Sequence, residues 1–385
     1  MSVSSDVIAS GEVSLQNTEN CMRVPGIVSV LGIPIDVTTL EHVEERINES
    51  VRTRERLFIS TVNLNFVAIA QNSPAFLASL QASDLCTADG IAMLAVCKVL
   101  GVTLPERVAG SDFLPSLARG GTSRQHIKVF FFGGTDEAGP RASAAINAMN
   151  SPYLSCAGYY NPGFGSLDDL SSDAILERIN ASGADFLVVS LGAEKGQAWI
   201  VRNLDRIKAP VVSHLGATIN FLAGTVKRAP PHVQKFGLEW AWRILQEPHL
   251  YKRYLKDIAT LAGVMVRDIL PLRVCLSRGK WKFAGAGFSI AEADENASYK
   301  RLILKGAITR DDTARLESAV ERCLAAGFSV KLDFADVVWF DLYGAGCVLA
   351  LQHAATRRGR QLQAINVSSF VLAGLRRCGL GGLVS

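Results

Sequence analysis

Three short runs decide the fold: KVFFFGG at 128–134, DFLVVSLG at 185–192 and APVVSHLG at 209–216. Each is a short strand-like run with apolar residues that are β-branched or aromatic, and each ends on glycine. IVSVLGIPIDV at 27–37 and LFISTVN at 57–63 follow the same pattern, and stretches of helical period lie between the runs. Strand and helix alternating in this way imply an α/β layer with a mainly parallel sheet. In such sheets the ligand crevice lies beyond the carboxyl ends of the strands. Thr61-Val62-Asn63, Gly133-Gly134-Thr135, Gly192-Ala193-Glu194-Lys195 and Gly216-Ala217-Thr218 are therefore expected to be neighbours.

With 385 residues, 49% of them hydrophobic, the chain exceeds one typical domain and can bury substantial cores. A net charge of +4 is small for this length, so any anion site is local and nucleic acid is not an expected partner. The eight cysteines are scattered, without CxxC or Cys/His spacing, and read as reduced, buried thiols with no metal site. Residues 1–25 lack a basic and apolar signal pattern and read as a flexible tail. The most apolar window, Leu255 to Leu272, is interrupted by Lys256, Asp257, Arg267 and Asp268, so no membrane span is expected.

The densest chemistry lies between Gly216 and Tyr254. Arg228-Ala229-Pro230-Pro231 breaks the chain there, and Glu239 to Glu247 reads as a helix carrying Trp240, Trp242 and Arg243. Residues 255–282 form a basic amphipathic segment, either a membrane-surface element or a helix packed on its own domain with a solvated basic face. From about 283 a second α/β module begins, without a Gly-rich phosphate loop or a Ser/His/Asp constellation, and is expected to be non-catalytic. Elsewhere, Asp89 in ADG sits at a turn, where a carboxylate stays accessible as a general base, although Asp-Gly is ordinarily just a turn. Arg107 beside Gly110 is suited to gripping a phosphate, and most such arginines are surface residues.

Together these patches occur in a known order. TVN at 61–63, ADG at 88–90, R-x-x-G-x-D at 107–112, FFFGG at 130–134, GYYNPGFG at 158–165, LGAEKGQAWI at 191–200, GAT-x-x-F-L-A-G at 216–224, RAP at 228–230 and GLEWAWRILQEP at 237–248 closely resemble the WecG/TagA/CpsF glycosyltransferases. The resemblance covers about 28–255. It implies a Rossmann-like parallel-sheet domain over 26–254 that moves a sugar from a UDP-sugar to a polyprenyl-diphosphate-linked saccharide. Transfer would be inverting, without an obligatory metal or other cofactor, on the inner face of the cytoplasmic membrane, in surface or exopolysaccharide synthesis. In that family the Asp of ADG is the proposed base, which places Asp89 in that role with Thr61 beside it. Asn63 and Arg107 match pocket positions. Gly133, Gly134, Gly192, Lys195, Gln197, Gly216 and Arg228 fall in the substrate-binding motifs, and Arg243 and Arg253 correspond to arginines proposed to reach the lipid diphosphate.

Many members read G-x-P-K-Q-E-x-W where this chain has Gly192-Ala193-Glu194-Lys195-Gly196-Gln197-Ala198-Trp199. Asn220 stands where Asp is frequent, and Leu250 where an arginine is. With Thr61, Asp89 and Arg107 kept, these departures point to a different sugar or acceptor. The stretch 283–385 resembles a STAS domain. Signalling members carry a phosphorylatable Ser or Thr after the loop Asp, whereas Asp341 is followed by Leu342 and Tyr343, which favours docking to a protein partner over phospho-switching. The rival reading is a non-catalytic nucleotide-sugar sensor signalling through that module. A dehydrogenase is disfavoured because no GxGxxG with a later acidic residue follows a strand.

Overall fold

A computed structural model describes residues 26–384 apart from 123–124, 217, 226–228, 231–232, 234–238, 247, 249–250 and 284. The described residues form twelve strands: β1 Ile27–Val30, β2 Ile33–Asp36, β3 Leu57–Val62, β4 Leu85–Ala88, β5 Ile127–Gly133, β6 Leu154–Tyr160, β7 Phe186–Ser190, β8 Val211–His214, β9 Ser289–Asp294, β10 Tyr299–Ile308, β11 Ser329–Phe340 and β12 Leu362–Ile365. Six of them make one sheet in the order β4-β3-β8-β7-β5-β6, parallel throughout. Of its inner strands, β3, β7 and β8 are buried along their whole length and β5 everywhere but at Lys128. Successive side chains serve opposite faces. Phe131, Val188 and Ile59 pack under the helices Leu40–Thr53, Gly110–Ala118 and Ala138–Ala148, while Phe130, Phe132, Leu187 and Val189 pack with Trp199 and Leu176 on the other side.

The run at 27–37 departs from expectation. It forms an antiparallel hairpin of its own, β1 with β2, outside the parallel sheet. Leu31 and Gly32, both at positive φ, make a two-residue turn that brings the strands straight back, which a parallel crossover does not allow.

The second module is a four-stranded sheet in the order β12-β11-β10-β9, in which only β9 is antiparallel to its neighbour. The helices Thr313–Ala325, Leu342–Arg357 and Ser369–Arg377 accompany it. The two modules share a core. Val28, Val30 and Ile33 of the hairpin, Phe66 and Met93 of the first module, Leu272 and Leu276, and Leu302, Val330 and Val348 of the second belong to one apolar cluster. Helix Leu342–Arg357 lies so close on β1 that a Cβ at Gly346 would come within 2.1 Å of the Ile27 carbonyl oxygen. The Ser29 hydroxyl donates to the Cys378 carbonyl at 2.7 Å. His353 Nε2 lies 3.3 Å from Asp84, and Arg357 pairs with the same carboxylate. Burial alone would raise the Asp84 carboxyl, but the His353 and Phe58 N–H hydrogen bonds and the Arg357 charge outweigh it and hold it below its ordinary value.

Residues 255–282 are part of this packing. Helices Tyr251–Val264 and Leu270–Lys282, joined through a π-helical turn at Met265–Ile269, bury Val264, Ile269, Leu272 and Leu276 in the shared core. Tyr251, Leu255, Ile258, Val266, Leu270, Val274 and Trp281 stay exposed on the other side.

Under the shared core, Asp36 accepts the Cys86 amide at 2.6 Å, and burial pushes its carboxyl up to about 7 against the lowering effects of that hydrogen bond and of Arg46. The folded protein thus keeps a proton that the unfolded chain releases near pH 4. This group lowers stability as pH rises from about 4 to about 7. Asp36→Asn should raise the melting temperature at pH 8 and leave it nearly unchanged at pH 4, and an equal shift at both values would show that the carboxyl does not titrate in this window.

Candidate functional site

Loops at the carboxyl ends of the parallel strands build the crevice. Register places Thr61 opposite Thr87 and Val62 opposite Ala88, so the residues that follow β3 and β4 emerge together. The Asp89 amide donates to the Val62 carbonyl at 2.8 Å, and Gly90 follows at φ 106°, a conformation that strains any other residue. These backbone bonds help fix where the half-buried Asp89 sits. The loop holding Arg107 is tied to the same strand end: Thr87 Oγ1 donates to the Val108 carbonyl at 3.0 Å and the Val108 amide to the Ala88 carbonyl at 3.1 Å. Arg107 Nη2 lies 3.4 Å from Asp112. A Cβ at Gly110 would meet the Thr61 methyl at 3.1 Å, so Thr61, buried, packs against the helix that begins there. Thr61, Asn63, Asp89 and Arg107 are thus gathered at one end of the β3/β4 pair. Asn63 has a local task as well, since its Oδ1 accepts the Phe66 amide and caps helix Leu64–Ala70.

The second half of the crevice lies over β5 and β7, where the strand order reverses direction: the chain leaves β5 towards β6 and leaves β7 towards β8. Gly133 and Gly134 turn there at φ 97° and 87°, and the Gly134 amide donates to the Ser190 carbonyl at 2.9 Å. A Cβ on Gly133 would lie 2.6 Å from that oxygen. Across from them, Gly192 opens helix Ala193–Asn203 with no side-chain cap and no heavy atom within 4 Å of its Cβ position. An uncapped helix start beside open space offers N–H donors to an anion. Lys195 Nζ donates to the Gly165 carbonyl at 2.9 Å, holding the rim loop on which Phe164 is fully exposed.

Gln197 is fully buried, its amide donating to Ser60 Oγ at 2.8 Å, and Ser60 in turn pairs with Ser83. That geometry makes it a brace between the helix and β3, out of a ligand's direct reach. Gly216 abuts the ring of His214. Arg228 lies outside the described residues. Arg243 and Arg253 fall on helices Glu239–Gln246 and Tyr251–Val264, but their side chains lie outside the description. No group of three or more His, Cys, Asp or Glu able to hold a metal occurs among the described residues.

The Glycosyl transferase WecG/TagA/CpsF family model matches residues 28–274. The chain belongs to this family. A STAS domain model matches residues 292–385. The chain is similar to the N-acetylglucosaminyldiphosphoundecaprenol N-acetyl-beta-D-mannosaminyltransferase of Staphylococcus aureus strain MRSA252, 28% identical over 220 residues, covering 57% of this chain and 84% of that protein. Its counterpart in strain MW2 is 27% identical over 222 residues, covering 57% and 85%. Among solved structures, the anti-sigma factor antagonist SpoIIAA in its unphosphorylated form aligns with 25% of this chain and 86% of its own, at 15% identity and a TM-score of 0.24.

Membership in the WecG/TagA/CpsF family makes this chain a glycosyltransferase carrying an added STAS module. Leu342, at the position that signalling STAS members reserve for a phosphorylated residue, is buried, and Asp341 caps the helix by accepting the Gly344 amide at 2.8 Å. The helix that begins there is occupied by β1 of the transferase module. One buried polar residue at the crevice end of β8 stands in no motif: His214, which follows the equally buried Ser213. In the sequence the pair shows only as two polar residues closing the run that begins at Val211. No described helix is long and apolar enough to cross a membrane.

Proposed function

We propose that the chain transfers a sugar from a UDP-sugar to a polyprenyl-diphosphate-linked saccharide, with inversion and without a metal, at the inner face of the cytoplasmic membrane. The observation that carries this reading is the convergence of Asp89, Thr61, Asn63 and Arg107 at the joint end of β3 and β4, next to the glycine-lined mouth over β5 and β7. Inverting transfer needs one base to take the acceptor hydroxyl proton as it attacks the anomeric carbon, and Asp89 serves as that base. Charge developing on the departing diphosphate is offset by Arg107 and by the uncapped start of helix Ala193–Asn203. The relatives act, by name, on N-acetylglucosaminyldiphosphoundecaprenol and transfer N-acetylmannosamine, which makes a polyprenyl-linked amino sugar the first acceptor to try. Purified protein given a panel of UDP-sugars and such an acceptor should release UDP with one donor only in the acceptor's presence. Binding without release across the panel would favour the sensor reading.

Membrane association follows from the outer face of 251–282. Among the described residues seven large apolar side chains are exposed there, Trp281 at 85%, alongside Lys252, Lys256, Arg267, Arg278, Lys280 and Lys282. Apolar area interleaved with cations suits an anionic headgroup layer. The protein should co-sediment with phosphatidylglycerol-containing vesicles and lose that binding in high salt or on replacing Trp281 and Lys282 by Glu; equal binding to neutral vesicles would remove the electrostatic part of the claim. A protein partner of the STAS module would engage a surface other than the covered face of Leu342–Arg357.

A further inference from the structure

Helix Ser369–Arg377 of the STAS module keeps one face out of the core. Val371, Gly374 and Leu375 are buried, and a Cβ at Gly374 would meet the Phe340 ring at 3.0 Å. Phe370, Ala373, Arg376 and Arg377 face outward, Phe370 at 47% exposure. A single exposed apolar residue is ordinary, but Phe370 does not stand alone. Its ring lies 6.1 Å from that of Phe283, and Lys282 Nζ sits 5.2 Å from the centre of the Phe283 ring. Along the same seam an apolar cleft is lined by Leu272, Cys275 and Leu276 from helix Leu270–Lys282 and by Phe370 and Gly374 from the STAS helix. The apolar and cationic surface of 251–282 therefore runs on to the second module through Lys282, Phe283 and Phe370.

The charge on both sides of the seam has one sign. Residues 270–283 hold Arg273, Arg278, Lys280 and Lys282, residues 366–385 hold Arg376 and Arg377, and neither stretch contains Asp or Glu. All six cations are exposed. Elsewhere in the module cations are matched: Lys300 pairs with Asp294, Arg301 with Asp333, Lys305 with Asp336, Lys331 with Glu295 and Arg358 with Glu321. A protein partner would need a carboxylate placed against each seam cation in turn. An anionic headgroup layer meets all of them in any lateral register, and it admits the aromatic side chains that lie between them.

Resting on the membrane reading of 251–282 above, we propose that helix Ser369–Arg377 is a second footing of the protein on the membrane, Phe370 entering the interface and Arg376 and Arg377 meeting anionic phospholipid headgroups. The STAS module then acts on the bilayer itself. One helix lying on a membrane leaves rotation about its long axis free. Because the two modules share one core, contacts on both fix the tilt of the molecule and with it the direction in which the crevice opens.

The test uses the full chain and phosphatidylcholine vesicles with or without phosphatidylglycerol. The triple variant Phe370→Ser, Arg376→Ser, Arg377→Ser should keep the wild-type melting temperature, since all three side chains are exposed, and should bind phosphatidylglycerol vesicles roughly 10- to 30-fold more weakly. Arg322→Ser with Arg360→Ser, both exposed on other parts of the module, should leave binding unchanged. An equal loss there would make the effect one of net charge and overturn the proposal. A photo-crosslinking amino acid at position 370 should capture phospholipid, a contact that can be read even if the triple variant does not fold; no capture from vesicles that the protein does bind also overturns it. Wild-type binding by the triple variant, with binding lost on replacing Trp281 and Lys282 by Glu, would leave the reading of 251–282 standing and assign Phe370 to a protein partner instead. No vesicle binding by the wild type would sink that reading first, and this footing with it.

Discussion

Asp89→Asn should abolish acceptor-dependent UDP release, lowering kcat by about 10²- to 10⁴-fold, while UDP-sugar binding and the melting temperature stay close to wild type. The reason lies in how the residue is held. Its amide is bonded to the Val62 carbonyl, Gly90 supplies the left-handed turn, and the adjoining Arg107 loop is pinned by Thr87 and Val108. These bonds run through the backbone and the Thr87 hydroxyl, so a change of one oxygen to an amide keeps them and removes the base. Steady-state kinetics with saturating donor would separate the possibilities. A loss confined to KM would make Asp89 a binding group, and a near-normal kcat would place the base elsewhere on the crevice.

Ending the chain at residue 282 should be nearly as damaging, for a different reason. The STAS module does not hang from a linker. Val28 and Val30 on β1, Leu272 and Leu276 on the helix before it, and Leu302, Val330 and Val348 within it share one apolar cluster. Exposing a large apolar side chain costs about 1.5–3 kcal/mol, so baring several of them exceeds the roughly 5–15 kcal/mol that holds a typical domain folded. The Asp84 carboxylate would also lose His353 and Arg357. Residues 1–282 alone are expected to aggregate or to melt far below the full chain, and co-expression of 283–385 should restore soluble protein. A monomeric 1–282 fragment with an unchanged melting temperature would show that the modules are independent.

This coupling separates the chain from a simple transferase with an appended recruiter. The helix Leu342–Arg357 presents Gly344 to its own module, where a Cβ would meet the Ile308 carbonyl oxygen at 2.6 Å, and Gly346 to β1, where a Cβ would meet the Ile27 carbonyl oxygen at 2.1 Å. The second contact admits no side chain and ties the module to the transferase domain.

What the sequence determined is what local chemistry can dictate. Short apolar runs alternating with helical stretches pointed to an α/β layer with a mainly parallel sheet, because strands joined by helical crossovers lie parallel. The strand–loop–helix order then required that TVN, ADG, GG and GAT meet at one end of that sheet, and their order identified the family. Tertiary structure decided the rest. The run 27–37 looks like another parallel strand, and only the turn at Leu31-Gly32 together with the waiting face of Leu342–Arg357 makes it a hairpin between modules. Gln197 sits in a substrate-binding motif, yet its side chain is spent on Ser60, on a strand 137 residues away. His214 carries no motif, and its burial comes from Gly196, Gly216 and Phe66 packed around the ring. Periodicity reports which face of an element is buried; which partner buries it depends on contacts between residues distant in the chain, and those are fixed only when the whole core closes.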